Sequence, residues 1–301
     1  MTLTAALLIL LSTFTHAAWN MLGKKDRPSA GFFLAANTAG ALAMTPLLIL
    51  FSEYSPRFSG AVIFFLVLTG FFQALYFFSL AKAYQNGDLS IVYPIARALP
   101  ILMVATLSSL ILQKLAGGFG LFAGGLMIIA GAFILPRQPG DKLKVKEFKN
   151  RTLWFALLAA VGTAGYSLVD DAALRLLRSG LNATGIVQIT LVYACLEGLL
   201  TTLWLAVIVT FNKKSRLETR SVLKTQKIPA LITGLGIFLT YSLVLIAMSF
   251  VQNVSYVVAF RQLSIPIGAL LGMLILGEAR YFNKYIGIVS IFIGAILVAI
   301  N

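Results

Sequence analysis

Two arginines stand where an apolar chain rarely holds them. Arg97 and Arg261 each lie about nine residues into a long hydrophobic stretch. A central arginine in a spanning helix costs about 2.5–3.5 kcal/mol on insertion scales, so it normally faces a cavity or a partner. The planar guanidinium matches carboxylate and phosphate in a two-pronged way, which would suit an anionic solute. The other reading is internal pairing of Arg97 or Arg261 with Glu197 or Asp170. Prolines crowd both arginines: Pro94 and Pro100 flank Arg97, and Pro266 follows Arg261 by five residues. Each proline frees the carbonyl four residues back, here Ser90, Ala96 and Gln262. Broken backbone at membrane depth is tolerated where it is buried or lines water. Interrupted spans at matching positions of two halves point to a transport site.

Other polar residues stand within apolar stretches. Ser12, His16 and Asn20 share one helical stripe with Trp19 beside it. His16, the only histidine, could take a proton near neutral pH or hydrogen-bond to a neighbouring helix. Glu197 is a second proton-coupling candidate, with Tyr193 one turn before it. Tyr93, Tyr166 and Gln262 complete the expected substrate-binding set, and Asn37, Gln73 with Tyr76, and Gln188 are further polar candidates. Asp170 and Asp171 precede Arg175 and Arg178, which reads as a salt-bridge cluster at headgroup level. The sequence shows no phosphate loop, metal-ligand cluster or nucleophile–histidine–acid set, so neither a metal, a cofactor nor an enzyme activity is expected. The single cysteine, Cys195, cannot form an intrachain bridge.

The elements that must hold these residues follow from composition. Of 301 residues, 59% are hydrophobic and 11% charged; soluble domains carry about 25% charged residues. Mean hydropathy is +0.92. A polar surface cannot be built from so few charges, which excludes an ordinary cytosolic enzyme and leaves a polytopic membrane protein. Roughly 20 apolar residues span a bilayer. Ten such stretches are found, at 2–23, 31–51, 60–81, 89–112, 116–136, 152–174, 183–211, 228–250, 253–276 and 283–300. They lack the alternating pattern of an outer-membrane barrel, so helices are expected. The first is read as a span and not a signal peptide, because no basic region precedes its apolar run. The longest connections, 137–151 and 212–227, are too short for an extramembrane domain. Gly120 with Gly124, and Gly268 with Gly272, permit close helix approach and are read as packing.

The formal charge is +14, from 24 basic and 10 acidic residues. Loops after spans 1, 5, 7 and 9 carry three, six, six and two basic residues, 17 in all. The opposite side holds four: Arg57, Lys114, Arg175 and Arg178. The positive-inside rule puts the rich side in the cytoplasm and both termini outside. The charge thus marks topology and anionic headgroups, and no nucleic-acid partner is expected.

The two halves match weakly but in order. Ala81, Tyr84 and Pro100 fall on Ala247, Phe250 and Pro266 at an offset of 166. Gly124, Gly131 and Ala132 fall on Gly287, Gly294 and Ala295 at 163, and Trp19 and Asn20 on Tyr166 and Ser167 at 147. Five spans per half invert the second relative to the first, a plan recurrent in secondary transporters. The expected fold is an all-α membrane protein of ten transmembrane helices in two inverted five-helix repeats, 1–136 and 152–301, joined by a basic cytoplasmic linker at 137–151.

The chain resembles ten-span members of the drug/metabolite transporter superfamily with two EamA-type repeats. The resemblance rests on Thr15-His16-Ala17-Ala18-Trp19-Asn20 with Lys24. It rests also on Ser264-Ile265-Pro266 followed by Gly277-Glu278, Gly287 and Gly294. The first half departs from that pattern, with Leu112-Gln113-Lys114 twelve residues after Pro100. The resemblance implies secondary transport of a small polar organic solute, such as a metabolite or amino acid, by alternating access. The expected direction is outward across the bacterial inner membrane, by a monomer or homodimer. Family members are usually drawn with cytoplasmic termini; the charge count argues the reverse. Alternatives are an exchanger or importer of a phosphate or phosphonate metabolite, which the arginines favour, and a lipid-linked flippase.

Overall fold

The computed structural model describes residues 2–23, 28–86, 89–112, 118–138, 151–275 and 277–300. Among these residues the chain is helical, with no strand. The helices are α1 (Leu3–Gly23), α2 (Ala30–Met44), α3 (Pro46–Leu50), α4 (Gly60–Asn86), α5 (Leu89–Leu112), α6 (Gly118–Ile134) and α7 (Arg151–Arg178). They continue with α8 (Ala183–Thr210), α9 (Lys213–Thr225), α10 (Lys227–Ala247), α11 (Val254–Phe260), α12 (Ser264–Ile275) and α13 (Phe282–Ile300). Among the described residues seven helical segments are long and apolar enough to cross a membrane, and shorter apolar helices run over Leu3–Ala18, Ile95–Leu110 and Gly118–Ile134. The protein is an all-α membrane protein.

Burial is arranged for lipid. Large apolar side chains such as Leu7, Phe64, Leu110, Leu203 and Val289 stand exposed on the outer faces, while Asp170, Glu197, Arg97 and Thr201 are buried within. In water this would be costly on both counts; in hydrocarbon the outer residues are solvated and the polar ones must find partners inside.

Local signals explain most helix ends. Ser29, Asn182 and Asn212 cap α2, α8 and α9 by accepting from the backbone N–H of Phe32, Gly185 and Ser215. Gly180, with φ of 73°, turns the chain between α7 and α8, a conformation a Cβ would disfavour. The second span breaks at Thr45, directly before Pro46, into α2 and α3. The connection at 212–227 holds a helix, α9, that hydrophobicity did not reveal. It is polar along most of its length and buries Ser215 and Val222 against the bundle, two turns apart. The linker segment 139–150 lies outside the described residues.

The packing is pairwise. α4 lies along α7, α1 along α10, and α6 along α13. α2 contacts α8 and α10, α4 contacts α8, α5 contacts α7 and α11, and α1 contacts α12. The α6–α13 crossing depends on glycine. A Cβ on Gly131 would meet the Gly287 carbonyl oxygen at 2.7 Å, and a Cβ on Gly294 the Gly124 carbonyl oxygen at 2.6 Å. Only glycine lets the two backbones approach so closely.

Candidate functional site

The acidic side of the site is built by four helices. Asp170, on α7, is fully buried. Its Oδ1 accepts from Tyr193 Oη of α8 at 2.8 Å, and its Oδ2 accepts from Tyr241 Oη of α10. Two phenols satisfy both carboxyl oxygens in a place water does not reach, which is what a buried carboxyl requires. This corrects the headgroup-level reading of Asp170. Only Asp171 pairs with Arg175, at 3.0 Å, because α7 turns residue 171 outward and residue 170 inward. Arg178 does not join that pair. It donates to Thr190 Oγ1 and, at 2.6 Å, to the Leu245 carbonyl, tying the end of α7 to α8 and α10.

Glu197 sits one turn after Tyr193 on α8 and is 1% exposed. Its Oε1 accepts from Gln73 Nε2 and from Thr69 Oγ1 at 3.2 Å, both on α4 one turn apart. Gln73 Oε1 accepts in turn from Thr201 at 3.2 Å. Glu197 Oε2 accepts from no N–H or hydroxyl among the described residues. A small cavity of about 30 Å³ lies beside the Glu197 residue, room for about two water-sized groups. Asn37, Gln73, Glu197, Phe238 and Tyr241 line it.

The basic side lies on the helices around α5 and the α11–α12 break. Arg97, on α5, donates from Nη2 to Ser264 Oγ at 2.8 Å. Ser264 Oγ donates to the Arg261 carbonyl, also at 2.8 Å. Arg261 lies over the rings of Tyr241 and Tyr166, 5.3 and 5.9 Å from their centroids, and donates to Tyr166 Oη at 3.4 Å. The ring faces attract the cation. Tyr166 also meets Tyr76 and Tyr241 edge to face, at 6.0 and 5.4 Å between centroids. Among the described residues the partners of Asp170 and Glu197 are phenols, an amide, a hydroxyl and each other's carboxyl, not arginine. Internal ion pairing of Arg97 or Arg261 with those carboxyls is therefore not what the structure holds.

The backbone around the arginines departs from the sequence reading in one half. A 3-10 turn at Arg261–Leu263 separates α11 from α12, and the Ser264 hydroxyl serves the Arg261 carbonyl at the break. α5, by contrast, runs through Pro94 and Pro100 as one helix. A proline within a packed span is held by its neighbours, and Ala96, Ala98 and Ile101 around it are fully buried. The two halves are interrupted unequally.

The remaining expected residues divide. His16 is half-buried and near enough to Arg97 and Arg261 to feel both charges. Ser12 and Thr15, on its stripe, bond instead to the Thr240 carbonyl and hydroxyl, each at 3.0 Å. The side chains of Trp19, Asn20 and Tyr93 lie outside the described residues. Gln262 is buried but donates to the Val258 carbonyl of its own helix at 3.0 Å. Gln188 is engaged elsewhere, accepting from Tyr54 at 2.7 Å. Glu278, part of the resemblance, pairs with Lys284 at 3.1 Å.

Thr69 and Tyr241 were not singled out from sequence, and Ser264 only as part of the Ser264-Ile265-Pro266 motif. Two signals point to Thr69 and Tyr241. Thr69 and Gln73 share a helical stripe with Tyr76, and the 166-residue offset carries Tyr76 to within one residue of Tyr241. Asp170 was visible, but its partners lie 23 and 71 residues away and no local pattern names them.

No protein-family model matches this chain, and no curated protein does. Solved structures do. One crystal structure of a protein aligns with 98% of this chain and 97% of its own, with a TM-score of 0.66 and 16% sequence identity. At that identity the likeness speaks for the fold over nearly the whole chain.

Proposed function

We propose that this chain is a secondary transporter that moves a small polar organic solute across the membrane by alternating access. The observation that carries the reading is the buried polar belt. Two arginines, two carboxyls and four tyrosines, all buried or half-buried, lie inside an apolar helical bundle beside a cavity. Such residues are expensive in a membrane interior and are retained there for solutes, ions or protons. The cavity holds only about two water-sized groups, which fits a closed state of a cycle.

The same reading takes the ten apolar stretches as ten spans in two inverted repeats. Exchanging the halves maps α1 on α7, α2 on α8, α4 on α10, α5 on α11 with α12, and α6 on α13. The contact α4–α7 then becomes α10–α1, α2–α10 becomes α8–α4, and α5–α7 becomes α12–α1; every one of these pairs packs together. The glycine contacts obey the same exchange. Gly124 against Gly294 becomes Gly287 against Gly131, at the 163-residue offset. A pseudo-two-fold of this kind supports rocking of one half against the other. Export across a bacterial inner membrane, with basic loops cytoplasmic and both termini outside, completes the proposal. His16 and Glu197 are its candidates for coupling to a proton gradient.

A second reading is exchange or import of an organic anion. Arg261 favours it, because tyrosine rings and a phenol, not a carboxylate, meet its guanidinium. Both readings are tested by reconstituting the protein in liposomes and measuring uptake of a mixed metabolite panel with and without a pH gradient. Neutral or zwitterionic solutes favour the first reading and phosphorylated or phosphonate anions the second. Arg97→Gln and Arg261→Gln should each abolish uptake while still inserting; normal uptake by both assigns the arginines a structural role.

A further inference from the structure

We infer that Asp170 and Glu197 form a carboxyl pair that shares a single proton, and that this pair is the proton-carrying site of the molecule. Three helices bring the two groups together. Tyr193, which donates to Asp170 Oδ1 at 2.8 Å, stands one turn before Glu197 on α8. Thr69 of α4 donates to Glu197 Oε1 at 3.2 Å and lies within hydrogen-bond reach of Asp170 as well. The two carboxyls are themselves within hydrogen-bond reach of each other. Both residues are buried, so bulk water does not screen their charges.

A count of hydrogens shows what the pair lacks. Three of its four oxygens have a donor: Tyr193 and Tyr241 serve Asp170, and Gln73 and Thr69 serve Glu197 Oε1. Glu197 Oε2 is buried and accepts from no N–H or hydroxyl among the described residues. The three hydroxyls have one proton each, already spent on the other oxygens. Charge points the same way. Arg178 donates to Thr190 and the Leu245 carbonyl, and Arg261 lies over tyrosine rings, so neither nearby cation bonds a carboxyl. Two carboxylates in contact away from water repel too strongly for both to be ionised, and such a pair keeps one proton. A proton on Glu197 Oε2 removes one negative charge and makes the bare acceptor a donor, whose acceptor is the Asp170 carboxylate.

Tyr241 links the pair to the arginine side. Its hydroxyl holds Asp170, while its ring lies 5.3 Å from the Arg261 guanidinium. A solute anion that draws Arg261 off that ring disturbs the donor on which Asp170 depends. Tyr166 of α7 meets Tyr241 edge to face, and α2 and α4 bring only the uncharged Asn37, Thr69 and Gln73 to this place. This deepens the transport reading, on which the purpose of the proton rests: the pair, and not Glu197 or His16 alone, carries the coupling proton.

The test reads protonation, not solute movement, so it fails or succeeds apart from that reading. Infrared spectra of the full chain in lipid at neutral pH distinguish a protonated carboxyl from a carboxylate by their stretching bands. Difference spectra against Glu197→Gln and Asp170→Asn should each show loss of the same carboxylic-acid band, because either amide supplies a fixed hydrogen and leaves the other carboxyl ionised. Loss of no such band in either variant means that both groups are ionised and overturns the inference. A band lost in one variant and kept in the other belongs to one carboxyl alone and overturns the sharing. Thr69→Val and Tyr241→Phe, which each strip a donor from a different carboxyl, serve if an amide variant does not fold. Both should displace the wild-type band, and a band that either leaves unmoved overturns the sharing.

Discussion

Tyr241→Phe removes one oxygen atom and isolates one interaction. In the wild-type protein Asp170 is fully buried, and its two oxygens are served by Tyr193 and Tyr241. The substitution leaves Oδ2 buried without a donor. A buried polar group stripped of its partner costs about 1–3 kcal/mol. Taking about 2 kcal/mol, the folded-to-unfolded ratio should fall roughly 30-fold. The ring stays, so the face that Arg261 approaches to 5.3 Å is retained, and Tyr241→Leu should cost a further amount of about 0.5–2 kcal/mol. Equilibrium unfolding in mixed micelles measures both. Tyr285→Phe, at a residue 46% exposed, is the control and should change nothing measurable. A double-mutant cycle of Tyr241→Phe with Asp170→Asn isolates the pair, with an expected coupling of about 1–3 kcal/mol. Wild-type stability for Tyr241→Phe, or zero coupling in the cycle, would refute the claim that the phenol satisfies the carboxyl.

The other predictions concern packing, topology and the arginine–tyrosine cluster. Gly294→Ala and Gly131→Ala put a Cβ within 2.6–2.7 Å of a backbone oxygen across the α6–α13 crossing; each should destabilise by about 1–3 kcal/mol, whereas Gly60→Ala, with open space around it, should not, as unfolding midpoints will show. A cysteine added at either terminus, in a Cys195→Ala background, should react with an impermeant thiol reagent in intact cells; absence of labelling at both ends reverses the assigned topology. Cys195 itself is fully buried and should stay unlabelled in the folded protein. Arg261→Lys keeps the charge but loses the planar fork over Tyr166 and Tyr241, so solute affinity in the liposome assay should drop at least several-fold; unchanged affinity would mean that charge alone matters there.

Much of the architecture was legible in the chain because hydropathy acts locally. A run of about 20 apolar residues is a span wherever it occurs, and Ser29 or Asn182 caps the helix that follows it without reference to distant residues. The glycines at 124, 131, 287 and 294 were visible as an offset pattern, and the α6–α13 crossing explains it. α9 escaped because its helical signal is a cap and two inward residues, not a hydrophobic run. Charge placement was legible only in part. Arg97 and Arg261 were conspicuous because a charge in an apolar stretch is costly anywhere. What each met was not visible, because a partner is decided by which helices adjoin.

The sequence by itself determined that the chain is an apolar helical bundle carrying a few ionisable residues in its spans, since composition and periodicity are properties of consecutive residues. Only the tertiary structure decided that Asp170 is held by phenols from α8 and α10 while its neighbour Asp171 faces outward to Arg175. It decided too that Glu197 is held by Gln73 and Thr69 of α4, and that Arg261 rests on tyrosine rings and not on a carboxylate. The physical reason is the same in each case. Inside a membrane protein a polar group must be satisfied by whatever lies within about 3 Å, and that is set by helix packing between residues far apart in the chain.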